Sequence, residues 1–191
     1  MIEPEKAPQS SEEIYVKGRL FELVHIKNGE RVFEVARRAP GVRIIIPNKA
    51  ERLVLLTKEF RRELNDWDYR LPGGKVFDTL EEFEEFRSSG KDILDVAVSK
   101  AKGEGAEEAG VDITELNHFK TSVLGATVEW DLWVFEATIW QSHSEGQSLE
   151  HGEIIETDNW FSYEEVERLI LEGKMQEERI ALILLQWLKK Q

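Results

Sequence analysis

The segment from Leu71 to Val76 (LPGGKV) constrains the fold more than any other part of this chain. Its two adjacent glycines allow a tight turn after an apolar run, and another group can approach their backbone closely. Farther along, Gly110 followed by Val111 is typical of a helix C-cap and the start of a new strand. The pattern therefore predicts a unit made of a glycine turn, a helix, a glycine stop and a strand.

Three glutamates, Glu104, Glu107 and Glu108, lie just before that glycine stop. Spacings of three and four residues place their side chains on one face of a helix. Carboxylates crowded in this way repel one another unless a cation lies between them, and hard oxygen ligands favour Mg²⁺ or Mn²⁺. A solvated helix face is the alternative, because the chain has 38 acidic and 25 basic residues. The flanking glycine turn and glycine stop favour the metal site.

These residues resemble the signature of the Nudix hydrolases, G-x5-E-x7-R-E-U-x-E-E-x-G-U, in which U is a bulky aliphatic residue. Gly74 matches the opening glycine. The closing half is matched at unbroken spacing by Glu104, Glu107, Glu108, Gly110 and Val111. The resemblance implies a metal-dependent enzyme that cleaves a pyrophosphate bond, with Glu104, Glu107 and Glu108 as metal ligands and Glu107 also in a catalytic role.

The chain departs from the signature inside the helix. Gly103 stands where the motif has arginine, and Gly105 stands where it has an aliphatic residue. Gly103 also comes about fifteen residues later than the spacing from Gly74 requires. In the family the arginine helps to orient a metal-binding glutamate, and Lys102 is a poor substitute because it points about 100° away on a helix. The first motif glutamate stays open between three positions: Leu80, Glu81 and Asp95.

The N-terminal part of the chain resembles the ADP-ribose pyrophosphatase branch of that family. Residues 14–27 alternate like a strand, Asn28-Gly29 is a hairpin signal, and residues 30–38 form the returning strand. The resemblance runs from about residue 14 to residue 188. It implies an α/β fold, a Nudix-type α/β/α sandwich around a mixed sheet with an N-terminal antiparallel β-hairpin extension. The expected division is a flexible N-terminus (1–13), a β extension that forms a homodimer (14–39) and a Nudix hydrolase domain (40–191).

Basic residues near the glycine turn are candidates for binding phosphate. Arg61 is the first choice, since related enzymes carry an arginine at this point after the strand, while Arg70 stands where many relatives have glutamate. For each of these residues a surface position is the alternative. Trp67 is a candidate for stacking on a nucleobase, with core packing as its alternative. The full predicted substrate-binding set is Arg61, Arg70, Gly73, Gly74, Lys75 and Trp67.

The polar segment 142–153 is predicted to be a loop. In the related enzymes a glutamate from this late loop is the general base toward the attacking water, which makes Glu150 and Glu153 the candidates here. The alignment does not choose between them. Two helices follow in the prediction, over residues 163–172 and 176–190, and Ser162 with Glu165 forms a capping-box pattern before the first.

Composition excludes several classes of function. The net charge of −13 argues against general binding of nucleic acid. Cysteine is absent, which excludes disulfides and thiolate catalysis, and the chain has no run of eighteen apolar residues. We expect a cytoplasmic enzyme with no membrane span and no secretory leader. The four histidines are scattered without metal-ligand spacing.

The predicted reaction is hydrolysis of a nucleoside diphosphate linked to another moiety, as in ADP-ribose or a nucleotide sugar, to a nucleoside monophosphate and a sugar phosphate. Two alternatives stay open. The acidic and aromatic segment 77–95 could reshape the pocket for another nucleoside diphosphate compound, such as a dinucleotide. Loss of the motif arginine could instead mark a degenerate Nudix domain that binds a nucleotide without hydrolysing it.

Overall fold

The computed structural model describes residues 11–149 and 151–191, apart from the side chains of residues 157 and 158. The chain divides into two compact units. The N-terminal unit holds residues 11–40, 77–91 and 123–131, and the main unit holds residues 41–76, 92–122 and 132–191. The strands are β1 Ser11–Lys17, β2 Phe21–Asn28, β3 Arg31–Arg38, β4 Gly41–Asn48, β5 Leu53–Arg61, β6 Asp66–Arg70, β7 Val111–Ser122, β8 Val128–Glu129, β9 Leu132–Ser142 and β10 Ile155–Ser162. The helices are α1 Leu80–Ser88, α2 Ile93–Ala109, α3 Tyr163–Leu171 and α4 Glu178–Leu188.

The N-terminal unit is a sheet with the order β1-β2-β3-β8 and one helix, α1. The predicted hairpin at Asn28-Gly29 is confirmed, since Gly29 has a φ of 62° and β2 pairs with β3. The prediction of one strand over residues 14–27 is wrong. The chain turns at Gly18, whose N–H donates to the Phe21 carbonyl at 2.7 Å, and β1 and β2 pair as antiparallel neighbours.

The segment between the glycine turn and α2 belongs to this unit. Thr79 caps α1 by accepting a hydrogen bond from the Glu82 N–H at 3.2 Å. The Leu80 N–H donates to the Arg19 carbonyl, and Lys17 pairs with Glu84 at 2.7 Å. The residues that lengthen the segment between the glycine turn and α2 therefore form α1, which packs with the N-terminal strands.

The main unit is a mixed six-stranded sheet with the order β10-β5-β4-β9-β7, in which β6 also pairs with β5. The central pair, β4 and β9, is parallel, and the other pairs are antiparallel. On one face, Ile45 joins a buried cluster with Leu184 and Trp187 of α4. Ile44 points to the opposite face, and α2 packs against β4 and β7. The predicted fold class, a mixed-sheet α/β fold with helices on both faces and an N-terminal antiparallel β extension, is confirmed.

Local signals set the ends of the helices. Gly110 ends α2 with a φ of 63°, as predicted, but the helix has 17 residues rather than being short, because Asp92 caps it far upstream. The predicted capping box before α3 is confirmed: the Ser162 side chain accepts from the Glu165 N–H, and the Glu165 carboxylate accepts from the Ser162 N–H. In the part of the chain that the structure describes, no helix combines the length and the apolar character that crossing a membrane requires.

Candidate active site around the glycine turn

The backbone of the glycine turn extends the sheet beside β4. The Ile44 N–H donates to the Pro72 carbonyl and the Val42 N–H donates to the Gly74 carbonyl, each at 2.9 Å. Gly73 has a φ of 142°, and a Cβ there would lie 2.3 Å from the Val42 carbonyl oxygen. Both the conformation and the space therefore demand glycine at position 73.

Glu108 reaches this turn from α2. The Gly73 N–H donates a hydrogen bond of 2.7 Å to its Oε2. Burial raises the pKa of Glu108 to about 8; the hydrogen bond from Gly73 opposes this change, and the nearby charge of Glu104 adds to it. A carboxyl group with these surroundings binds a proton readily in the absence of another cation.

Glu104 lies against the second glycine of the turn. Its side chain is buried, and a Cβ on Gly74 would stand 2.2 Å from its Oε1. Burial raises the pKa of Glu104, and the Lys100 ammonium, 3.1 Å from Oε1, opposes that effect. The Glu104 carboxylate therefore occupies the space that a side chain at position 74 would take.

Glu107 lies partly buried beside them, next to the space left by Gly103. Its carbonyl accepts a hydrogen bond of 3.0 Å from the Ser148 N–H. Among the side chains that the structure describes, no three or more acidic or histidine groups gather closely enough to hold a metal ion. The side chains of Glu104 and Glu108 therefore both lie against the backbone of the glycine turn. Glu107 lies between them in the sequence.

This donor set fits a divalent cation in its chemistry. Glu104 and Glu108 offer hard carboxylate oxygens, and the pKa of each is raised by burial, which is nearly complete for Glu104 and partial for Glu108. A bound cation would offset the cost of burying both charges. Mg²⁺ usually takes only one or two carboxylates from a protein and completes its shell with water and substrate phosphates.

Arg61 and Arg70, which are predicted to bind phosphate, contact carboxylates. Arg61 donates to Glu59 at 2.9 Å and to Glu63 at 2.8 Å. Arg70 donates to Glu59 and to Glu177, each at 3.0 Å. Lys75 lies partly buried in the turn and pairs with Gly41 through an isolated antiparallel bridge. Glu59 therefore links the two arginines.

Arg43 and Glu177 are part of this region, and sequence reasoning missed both. Arg43 is buried in β4 and donates to the Gly73 carbonyl at 2.5 Å and to Glu177 at 3.3 Å. Burial lowers the pKa of Arg43, although an arginine stays charged in a protein. Glu177 also accepts from Arg70 and from Arg179, at 3.1 Å from the latter. A charge inside the apolar run VRIII was the available signal for Arg43.

Trp67, on β6, packs edge to face with Phe60 at a centroid distance of 5.5 Å, and the Lys58 ammonium lies 4.4 Å from its ring centroid. It is partly buried. Trp67 therefore contacts residues of β5, the strand that pairs with β6. Its stacking on a nucleobase stays a prediction.

Of the two candidates for the general base, Glu150 lies outside the described residues and Glu153 lies within them. Glu153 is exposed and directly precedes Ile154, whose carbonyl accepts a hydrogen bond of 2.9 Å from the Phe60 N–H. Glu153 therefore lies beside the end of β5, the strand that carries Glu59 and Arg61.

Comparison with known proteins supports the fold. No protein-family model matches the chain, and no curated protein matches it by sequence. A solved structure described as the crystal structure of an ADP compounds hydrolase matches with a TM-score of 0.68 and 17% sequence identity, over 97% of this chain and 96% of that chain. At this identity the likeness establishes that the two proteins share a fold.

Proposed function

We propose that this chain is a Nudix-type hydrolase of the ADP-ribose pyrophosphatase-like branch. It would cleave the pyrophosphate bond of a nucleoside diphosphate linked to another moiety, with ADP-ribose or a nucleotide sugar as the expected substrate. One observation carries the proposal: the carboxylates of the buried Glu104 and the partly buried Glu108 both lie against the backbone of Gly73 and Gly74. The fold shared with an ADP compounds hydrolase adds support.

In this proposal Glu104 and Glu108 hold Mg²⁺ or Mn²⁺, with Glu107 as a further ligand. Such a cation supplies charge neutralisation on the pyrophosphate and lowers the pKa of bound water. The chain's own part is to fix the two carboxylates: Gly73 donates to Glu108, and Gly74 leaves room for Glu104. Glu150 or Glu153 would take the proton of the attacking water. The products would be a nucleoside monophosphate and a sugar phosphate.

Phosphate recognition would fall to Arg61, Arg70 and Lys75, together with the backbone of the two glycines. The arginines would exchange the carboxylates that they now contact for phosphate oxygens, which guanidinium groups bind in a bidentate manner. Trp67 would stack on the nucleobase.

The proposal includes a homodimer formed through the N-terminal sheet. Its strands β1 and β3 expose large apolar side chains, which single soluble domains keep few in number. These exposed residues are Ile14, Tyr15, Val16, Val32 and Phe33. Sedimentation at micromolar concentration tests this part, and a monomer would contradict it.

A nucleotide-binding domain without hydrolysis is the second candidate. Gly103 in place of the motif arginine favours it. The two candidates differ in a simple way, because only the hydrolase turns its ligand over.

Hydrolysis of a panel of ADP-ribose, nucleotide sugars and dinucleotides tests the proposal. Phosphate release is measured through a coupled phosphatase with Mg²⁺ or Mn²⁺. Glu108→Gln should abolish turnover, and Glu115→Gln, an exposed glutamate on β7, is the matched control that should not change it. Nucleotide binding without turnover of any compound, by folded protein with either metal, would refute hydrolysis and favour the binding domain.

A further inference from the structure

Gly103 leaves a space on α2. A Cβ at this position would meet only the Glu107 Oε1, at an ordinary contact distance of 3.7 Å. Lys102, its neighbour, donates to the Thr114 carbonyl of β7 at 2.5 Å, so its ammonium is engaged by the sheet. Neither residue provides a cation to the glutamates of the turn.

Lys100 provides a cation to one of these glutamates. It precedes Glu104 by one helical turn, and its Nζ lies 3.1 Å from the Glu104 Oε1. The Lys100 side chain is 32% exposed, whereas that of Glu104 is 9% exposed, so a lysine at the surface reaches in to a buried carboxylate. The pair has its lysine on the N-terminal side, the order that contributes less to helix stability. Helix stabilisation is therefore a poor explanation for it.

Two contacts fix the position of the Glu104 carboxylate. Gly74 bounds it on one side, because its missing side chain is what admits the carboxylate. Lys100 holds Oε1 by a charge-assisted contact of 3.1 Å. Without Lys100, the side-chain torsions of Glu104 would lose the cationic contact that holds Oε1.

We infer that Lys100 is a positioning residue, which supplies from one turn upstream the cationic contact that Gly103 lacks and so orients Glu104 for binding a divalent cation. The inference rests on the proposed function, because it takes Glu104 as a cation ligand. It assigns a role to Lys100 that neither its place in the sequence nor the Nudix signature indicates.

Calorimetric titration with Mn²⁺ alone, without substrate, tests the inference. Loss of a positive charge beside a cation site would by itself tighten Mn²⁺ binding, so weaker binding must come from lost positioning. We expect Lys100→Met to weaken Mn²⁺ binding about tenfold, the lower range for residues that orient metal ligands. Lys100→Arg should bind as the wild type does, and Lys102→Met, the matched control on the same helix, should leave Mn²⁺ affinity unchanged.

A second-site variant makes the test specific. In Lys100→Met/Gly103→Arg, an arginine at the motif position should restore both Mn²⁺ affinity and kcat, because position 103 has room for a side chain. Thermal melting in EDTA verifies that each variant is folded. Unchanged or tighter Mn²⁺ binding by Lys100→Met, with normal binding by the wild type, would overturn this inference alone. Absence of Mn²⁺ binding by the wild type would overturn the proposed function and the inference with it.

Discussion

The two glycines inside α2 should respond in opposite ways to the same substitution. Glycine in a helix interior costs about 1 kcal/mol relative to alanine. At position 103 a Cβ meets only the Glu107 Oε1 at 3.7 Å, so Gly103→Ala should stabilise the protein by about 1 kcal/mol. In a chain of this size that gain raises the Tm by roughly 2–4 °C.

At position 105 the same methyl group meets the core. Its Cβ would lie 2.6 Å from Cδ1 and 3.2 Å from Cγ1 of Ile113, a buried residue on β7. Overpacking of this kind costs about 1–3 kcal/mol, which cancels or exceeds the helix gain. Gly105→Ala should therefore be neutral or destabilising by up to about 2 kcal/mol.

A double-mutant cycle separates the clash from helix propensity. Ile113→Val removes the Cδ1 atom and alone should cost about 0.5–1.5 kcal/mol. In the Gly105→Ala background that cost should vanish, which gives a coupling of about 1 kcal/mol between the two positions. Urea unfolding in EDTA, analysed at equal m-values, provides each free energy of unfolding. Equal stabilisation by both alanines, or additive costs in the cycle, would refute the reasoning.

Three further predictions concern the glycine turn and its partners. Gly74→Ala places a methyl group 2.2 Å from the Glu104 Oε1, which is the movable end of a side chain, so this variant should fold but lose Mn²⁺ binding. Gly73→Ala places its Cβ 2.3 Å from a backbone oxygen, so this variant should unfold at a much lower urea concentration than the wild type. Because the folded-state pKa of Glu108 is raised to about 8, its protonation stabilises the metal-free fold fully below pH 4.5, and that stability is lost as the pH rises toward 8. The Tm of the metal-free protein should therefore fall as the pH rises toward 8, and Glu108→Gln should remove the part of that fall that comes from ionisation of Glu108. Glu177→Ala should cost about 3 kcal/mol in urea unfolding, since three guanidinium groups lose a shared, mostly buried carboxylate.

Each of these predictions has an outcome that would contradict it. Normal Mn²⁺ affinity in Gly74→Ala would show that Glu104 is free to bind from another position. A pH dependence of the Tm that is the same in Glu108→Gln and the wild type would mean that Glu108 is not the titrating group. Full stability of Glu177→Ala would mean that its arginines find other partners.

The features that could be predicted from the sequence depend on short stretches of chain. The Gly110 stop, the Asn28-Gly29 hairpin and the Ser162 capping box each follow from backbone geometry within about four residues. The single strand predicted over residues 14–27 was wrong because Gly18 is compatible both with an irregularity inside one strand and with the reversal that the chain makes there.

The electrostatic partners could not be predicted in this way, because they come from distant parts of the chain. Arg43 contacts Glu177, 134 positions away, and Gly73 donates to Glu108, 35 positions away. The sequence indicated Glu104 and Glu108 through their spacing on one helix. Lys100 lies one helical turn before Glu104, but the motif assigns the orienting cation to position 103, so the signature does not indicate Lys100.

The arrangement of charges bears on how a diphosphate would bind. Arg61 and Arg70 already share Glu59, and Arg70 also contacts Glu177, so a phosphate would replace one anion with another on the same guanidinium. Such an exchange gains little Coulomb energy, and a chain of net charge −13 repels an anionic ligand.

Under the proposed function, most of the affinity for the pyrophosphate must then come from the divalent cation at Glu104 and Glu108. Calorimetric titration with a non-hydrolysable α,β-methylene analogue of ADP-ribose should therefore show binding in Mg²⁺. In EDTA the affinity should fall at least about tenfold, which corresponds to about 1.4 kcal/mol of binding free energy. Glu115→Gln should behave as the wild type does in both conditions. Equal affinity with and without the cation would contradict this reasoning, because the arginines would then bind the phosphates without help, as expected for a nucleotide-binding domain that has no need of a metal.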